Sequence, residues 1–177
     1  MQYRTARMLI PSIALACIAG VAIAADQGSS AASWKHQQLK FNYMGFTSHY
    51  TCDALQDKVR QVLKHFGARD GLKVQATGCA NGPNQTSPYA WVDAEFDALV
   101  PDSSAGDVKG QWKSVRLSGN RPTFMGAGEC ELVEQMKPLL TQGFALRDLT
   151  YTTRCSPHQV SLGDYDVHGE VLQPATP

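Results

Sequence analysis

Two histidine–cysteine pairs share one spacing: His49 stands three positions before Cys52, and Cys155 three positions before His158. With free thiols, these four residues would offer two nitrogens and two sulfurs, a donor set suited to zinc or copper. A second chemistry competes for the same sulfurs, because Cys52, Cys79, Cys130 and Cys155 make an even set that can close two disulfides. Thiol exchange is a third. Cys52 and Cys130 fall at expected helix starts, where a thiolate is favoured, yet no two cysteines are separated by two residues, the usual exchange spacing.

Other catalytic patterns are missing. There is no Gly-x-Ser-x-Gly turn and no His-Glu-x-x-His helix. Gly126-Ala127-Gly128 lacks the lysine of a phosphate loop, and Glu129 and Glu131 would repel a phosphate. Asp93, Glu95 and Asp97 alternate along one stretch and read as the wet side of a strand. Trp34, Trp91 and Trp112 are too scattered to mark a stacking platform.

The elements that must position these residues come in two copies. Arg69-Asp70 follows Cys52 at the same distance along the chain as Arg147-Asp148 follows Cys130. On that frame Asp53 matches Glu131, Leu55 matches Val133, Val62 matches Leu140, and Phe66 matches Phe144. The second cysteine arrives slightly later in the first half, Cys79 after Cys52, than in the second, Cys155 after Cys130. Gly71 and one residue near Gly78 account for the difference. Leu55, Val59, Val62, Leu63 and Phe66 form a helical stripe, with Thr51 as N-cap and Gly67 as C-terminal stop. A second helix is expected over 129–142, with Val133, Met136 and Leu140 inward, kinked or begun late because of Pro138.

Alternation predicts strands at 39–46, 72–76, 89–99, 111–117, 149–153 and 166–172. Each half therefore reads strand, helix, strand, strand. The fold expected is α+β: two β-α-β-β repeats (39–100 and 110–172) in one domain over 39–172, with a mostly antiparallel sheet and two helices on one face. Residues 25–38 read as a flexible N-terminal segment and 173–177 as a C-terminal tail. In a strand–helix–strand crossover the helix start and the next strand's end share one sheet edge. That pairs Cys52 with Cys79 and Cys130 with Cys155, each closing a loop worth roughly 3–4 kcal/mol. Cys79 is out of phase with Leu72, Val74 and Ala76, so the pairing needs a bulge at Gly78 or a frame shifted by one.

Arg4 and Arg7, then an apolar run to Ala22-Ile23-Ala24, describe a signal peptide over 1–24. A lipid anchor on Cys17 is disfavoured, because 18–24 is still apolar and Ala14 replaces the usual large aliphatic residue. Removing 1–24 from the 177-residue chain leaves 14 basic and 16 acidic side chains and no later span-length apolar segment. Such a balance gives no footprint for nucleic acid. Asn84-Gln85-Thr86 fits a glycosylation sequon but is discounted, because the signal reads as bacterial.

The run Tyr50-Thr51-Cys52-Asp53-Ala54-Leu55-Gln56-Asp57-Lys58-Val59-Arg60-Gln61-Val62-Leu63, with Gly67-Ala68-Arg69-Asp70 and Gly78-Cys79, resembles small exported proteobacterial proteins of no assigned activity. The resemblance covers most of the mature chain, implies a periplasmic or secreted location, and carries over no catalytic residue or cofactor. Two functional expectations remain. The preferred one is a non-enzymatic envelope protein, structural or accessory, that binds a protein or small-molecule partner through its sheet face or loops. The alternative is a metal-handling or hydrolytic periplasmic enzyme using His49 and His158. An intact mass taken after alkylation without reductant separates them: a chain starting at Ala25, unalkylated and metal-free, is expected, whereas four alkylated thiols would restore the histidine–cysteine cluster.

Overall fold

The computed structural model describes residues 29–79, 86–104, 106–161 and 163–175. The expected signal peptide and Asn84 lie outside the described residues. In chain order the elements are β1 (Ser30–Met44), α1 (Cys52–His65), β2 (Lys73–Thr77), β3 (Tyr89–Pro101), β4 (Val108–Ser118), a 3-10 turn (Ala127–Glu129), α2 (Cys130–Gln135), α3 (Lys137–Gly143), β5 (Leu146–Thr153) and β6 (Tyr165–Pro174).

The strands form one six-stranded sheet in the order β2-β3-β1-β4-β6-β5, and every neighbouring pair is antiparallel. Because β3 lies between β1 and β2, those two run parallel and α1 is the crossover joining them. β4, the α2–α3 pair and β5 repeat the arrangement around β6. Within the sheet, the described residues of the two halves pair only where Ser30, Ala31 and Ala32 meet Gly110, Lys109 and Val108.

Helix α1 follows its sequence pattern. Leu55, Val59, Val62 and Leu63 are buried, and the Thr51 side chain accepts from the Ala54 N–H at 3.2 Å. Gly67, at φ 92°, takes the left-handed turn that ends the helix. The second helical segment is not one kinked helix but a 3-10 turn and two short helices, α2 and α3, meeting at Met136. Pro138, in the first turn of α3, has no N–H to extend α2, so the break falls just before it. Val133, Met136 and Leu140 are buried as the pattern requires.

One face of the sheet packs under the helices. It presents Phe41 and Tyr43 from β1, Val74 and Ala76 from β2, and Val92, Ala94, Phe96 and Ala98 from β3; Val115, Leu117, Tyr165, Val167 and Val171 continue it across β4 and β6. Gly143 lets α3 approach closely, since a Cβ there would stand 2.7 Å from Phe96 and 3.2 Å from Leu39. The disulfides are Cys52–Cys79 and Cys130–Cys155, with Cα–Cα distances of 5.6 and 5.5 Å. The β2 frame is the expected one. Gly78, just beyond β2 at φ 77°, turns the chain so that Cys79 reaches Cys52. A register shift occurs instead in β5, between Arg147 and Thr150, where Asp148 sits at φ 52°.

Both ends of the domain need correction. Residues 30–38 are not a flexible segment: they are the first part of β1, with His36 opposite Asp97 and Ala32 fully buried. Nor do 173–174 belong to a tail, since Gln173 and Pro174 pair with Gln111 and Gly110 in β6. Within 30–38, Ala32 and Trp34 lie on the face away from the helices. There Ala32, Leu99 and Leu172 form a second, smaller core with Trp34, Val108, Trp112 and Ala145. Gly110 lies in this core, where a Cβ would stand 2.9 Å from Leu172 and 3.1 Å from Ala32. Gly110→Val is therefore expected to destabilise the fold by about 1–3 kcal/mol through overpacking, read as a lower urea midpoint; an unchanged midpoint would show that the seam tolerates widening.

Candidate functional site

The loops carrying the two predicted histidines do meet. Thr47 Oγ1 donates to the Ser156 carbonyl at 3.4 Å, and the His158 ring stands edge-on to Phe46 with centroids 5.8 Å apart. His49 and His158 are exposed, but the sulfurs beside them are bonded to Cys79 and Cys130. The two-nitrogen, two-sulfur donor set is thus not assembled. Among the described residues no group of three or more His, Cys, Asp or Glu side chains is placed to hold a metal.

A polar cluster that the sequence does not announce ties the 45–51 loop to the start of α2. The buried Glu131 carboxylate accepts from the Phe46 and Thr47 N–H groups at 2.7 and 2.9 Å. Glu129 accepts from the Gly126 N–H at 2.9 Å and pairs with Lys58 at 2.5 Å, the two side chains being 11 % and 18 % exposed. Ser48 Oγ donates to the Gly128 carbonyl at 2.5 Å, Tyr43 to the Ser48 carbonyl, and Tyr165 to the Gly126 carbonyl at 2.8 Å. Burial, followed by the neighbouring Glu129 charge, pushes the Tyr50 and Tyr165 hydroxyls above the usual tyrosine range; burial, then Glu131 and Glu129, does so for Tyr43. These phenols stay protonated. Tyr43 and Tyr165 act as donors to backbone, so the cluster clamps two loops rather than moving protons.

A further clamp crosses the halves. The Gln135 amide accepts from the Met44 N–H and donates to its C=O, both at 2.5 Å, closing the end of β1. His65 is packed edge-on to Phe66 and Phe124, and burial lowers its pKa. The neutral ring donates Nε2–H to the Arg116 carbonyl at 3.2 Å.

The sheet face away from the helices is open, and its acidic side chains are partnered across strands. Asp93 pairs with Lys40 at 2.7 Å, Asp97 with His36 at 3.0 Å, and Glu95 with Lys73 at 3.7 Å. In the second half Arg116 grips Asp166 through two bonds of 2.8 and 3.0 Å, and Arg147 pairs with Glu170. The repeated arginines also cover tryptophans: Arg69 lies 5.3 Å from the Trp34 ring centre and Arg147 4.6 Å from that of Trp112. Trp34-Lys35 and Trp112-Lys113 stand as far apart along the chain as Cys52 and Cys130 do, and that shared offset is the signal the sequence carries for this pair.

Trp91 is different. It is 59 % exposed, its strand neighbour Tyr89 50 %, and Met44, opposite Tyr89, 44 %. The indole lies against Gly78, where a Cβ would stand 2.6 Å from Cε3 and 2.7 Å from Cζ3. Asn42 on β1 and Thr77 on β2 flank it in register. This patch is the candidate binding surface.

Lys58 and Glu129 give a test of the clamp. Lys58→Met alone is expected to cost about 3 kcal/mol by leaving a largely buried carboxylate unpaired, and the Lys58→Met/Glu129→Gln double variant to recover much of it. Additive losses in urea denaturation would show the two side chains to be uncoupled. Comparison with protein-family models, with curated proteins and with solved structures finds no match to this chain.

Proposed function

We propose that this chain is an exported, non-enzymatic binding protein of the bacterial envelope, which takes its ligand on the open face of the sheet. The observation that carries this reading is the exposed set Trp91, Tyr89 and Met44, on a face where Asp93, Glu95 and Asp97 are partnered across strands by Lys40, Lys73 and His36. Two closed disulfides fit an oxidising compartment. Among the described residues, Glu131, Glu129, Tyr43 and Tyr165 are engaged with backbone groups or with Lys58, an arrangement that fits a structural clamp and not a convergence of nucleophile, base and donor.

The palindromic strand order and the shared offset that separates Cys52 from Cys130, Trp34 from Trp112 and Arg69-Asp70 from Arg147-Asp148 support a duplicated origin for the two halves. Counting back from the matched positions Leu99 and Leu172, Trp91 corresponds to Asp164, so the second half has no equivalent indole. The two halves keep one scaffold, and only the first half carries the aromatic patch.

Sedimentation with isolated Gram-negative envelopes tests the reading. The protein is expected to be retained, and the Tyr89→Ala/Trp91→Ala variant, folded by circular dichroism, to be retained at least tenfold less (about 1.4 kcal/mol). Equal retention of both proteins, or turnover of an envelope polymer, would overturn it.

A further inference from the structure

The shape and neutrality of the Trp91 patch specify its ligand more closely, an inference that rests on the binding function proposed above. Trp91 and Tyr89 are two positions apart on β3, so their rings project from one face about 7 Å apart. Gly78 leaves room for the Cε3–Cζ3 edge of the indole against the backbone, because a Cβ there would meet the ring at 2.6 Å, and Trp91 as a whole stays 59 % exposed. Asn42, Gln75 and Thr77 are exposed around the ring, and among the described residues none of the three makes a side-chain hydrogen bond. Amide and hydroxyl groups of this kind both donate and accept. The nearest charges, Lys40 and Asp93, neutralise each other at 2.7 Å.

This surface suits a ligand with a flat C–H face for the electron-rich ring and a rim of neutral hydroxyls for the amides. An anionic lipid headgroup, a nucleic acid or an acidic peptide would find no unpaired cation here, and three apolar side chains are few for a protein interface. We propose that Trp91, Tyr89, Asn42, Gln75 and Thr77 form a binding site for a neutral pyranose glycan, a sugar ring stacking on the Trp91 indole while its hydroxyls bond to the flanking side chains.

The test is tryptophan fluorescence with cellotetraose and with the β-1,4-linked N-acetylglucosamine tetramer. Trp34 and Trp112 lie under arginines, so the exposed Trp91 should dominate both the emission shift and acrylamide quenching. At about 10 mM sugar, above the ~1 mM dissociation constant appropriate to so small a patch, a saturable blue shift and protection from quenching are expected with at least one tetramer. Trp91→Ala should weaken that binding at least tenfold by calorimetry, and Trp91→Phe, which keeps a stacking ring, should restore part of it. No saturable change with either tetramer, or equal affinity in Trp91→Ala, would overturn the site. If envelope retention depends on Trp91 but neither tetramer competes, the glycan inference fails and the binding face stands. If retention is absent as well, both fail. A concentration-dependent dimer abolished by Trp91→Ala would assign the patch to a second copy of the chain and overturn the glycan site.

Discussion

A six-stranded sheet whose two halves meet, among the described residues, through three residue pairs is not held in register by ladder hydrogen bonds alone, and much of this structure answers that constraint. The interactions that compensate cross from one half to the other. Gln135 from the second half closes the end of β1, Glu131 holds the loop after β1, and Lys58 on α1 reaches Glu129 before α2. His65 at the end of α1 donates to β4, and Gln173 on β6 donates to the His65 carbonyl at 3.2 Å. On the far side of the sheet, Ala32, Leu99 and Leu172 bury the seam against Trp34 and Trp112. Apolar burial on both faces and charge-assisted bonds at the helix ends together replace a continuous strand pairing.

The sequence discloses those parts whose physics is local. The α1 stripe, its Thr51 cap, its Gly67 stop and the two disulfides all follow from periodicity and from the geometry of a crossover. The first half of β1 does not. Apart from Trp34, Ser33 to Gln38 is polar on both faces and shows no apolar alternation, so its strand character comes from pairing with β3, a partner far away in sequence. The break at Met136 is foreshadowed by Pro138, though its position depends on how α3 settles over Leu39 and Phe96.

The candidate site is the least legible part. Trp91 and Trp34 are the same residue type in similar strand surroundings, and only tertiary placement puts an arginine over Trp34 and leaves Trp91 exposed. Gly78 enters the sequence argument as a way of bringing Cys79 into phase; its second role, leaving room for the edge of the Trp91 indole, depends on the β2–β3 register. His49 and His158 are brought to touching loops by the same topology that places their cysteine neighbours in separate bridges.

One row of the sheet has a consequence for how the chain is threaded. Ser30, Gly110 and Pro174 lie side by side across β1, β4 and β6, and Pro101, Ala32 and Val108 form the matching row across β3, β1 and β4. The first and last strands thus end two strand spacings apart, about 10 Å. The 102–107 linker bridges the corresponding gap in the matching row. In connectivity the domain is a ring of two arcs, with one junction made by peptide and the other left open. A permuted chain cut within 102–107 and closed from 174 to 30 would keep the same strand neighbours, so the order in which the halves are written is not itself part of what the fold encodes.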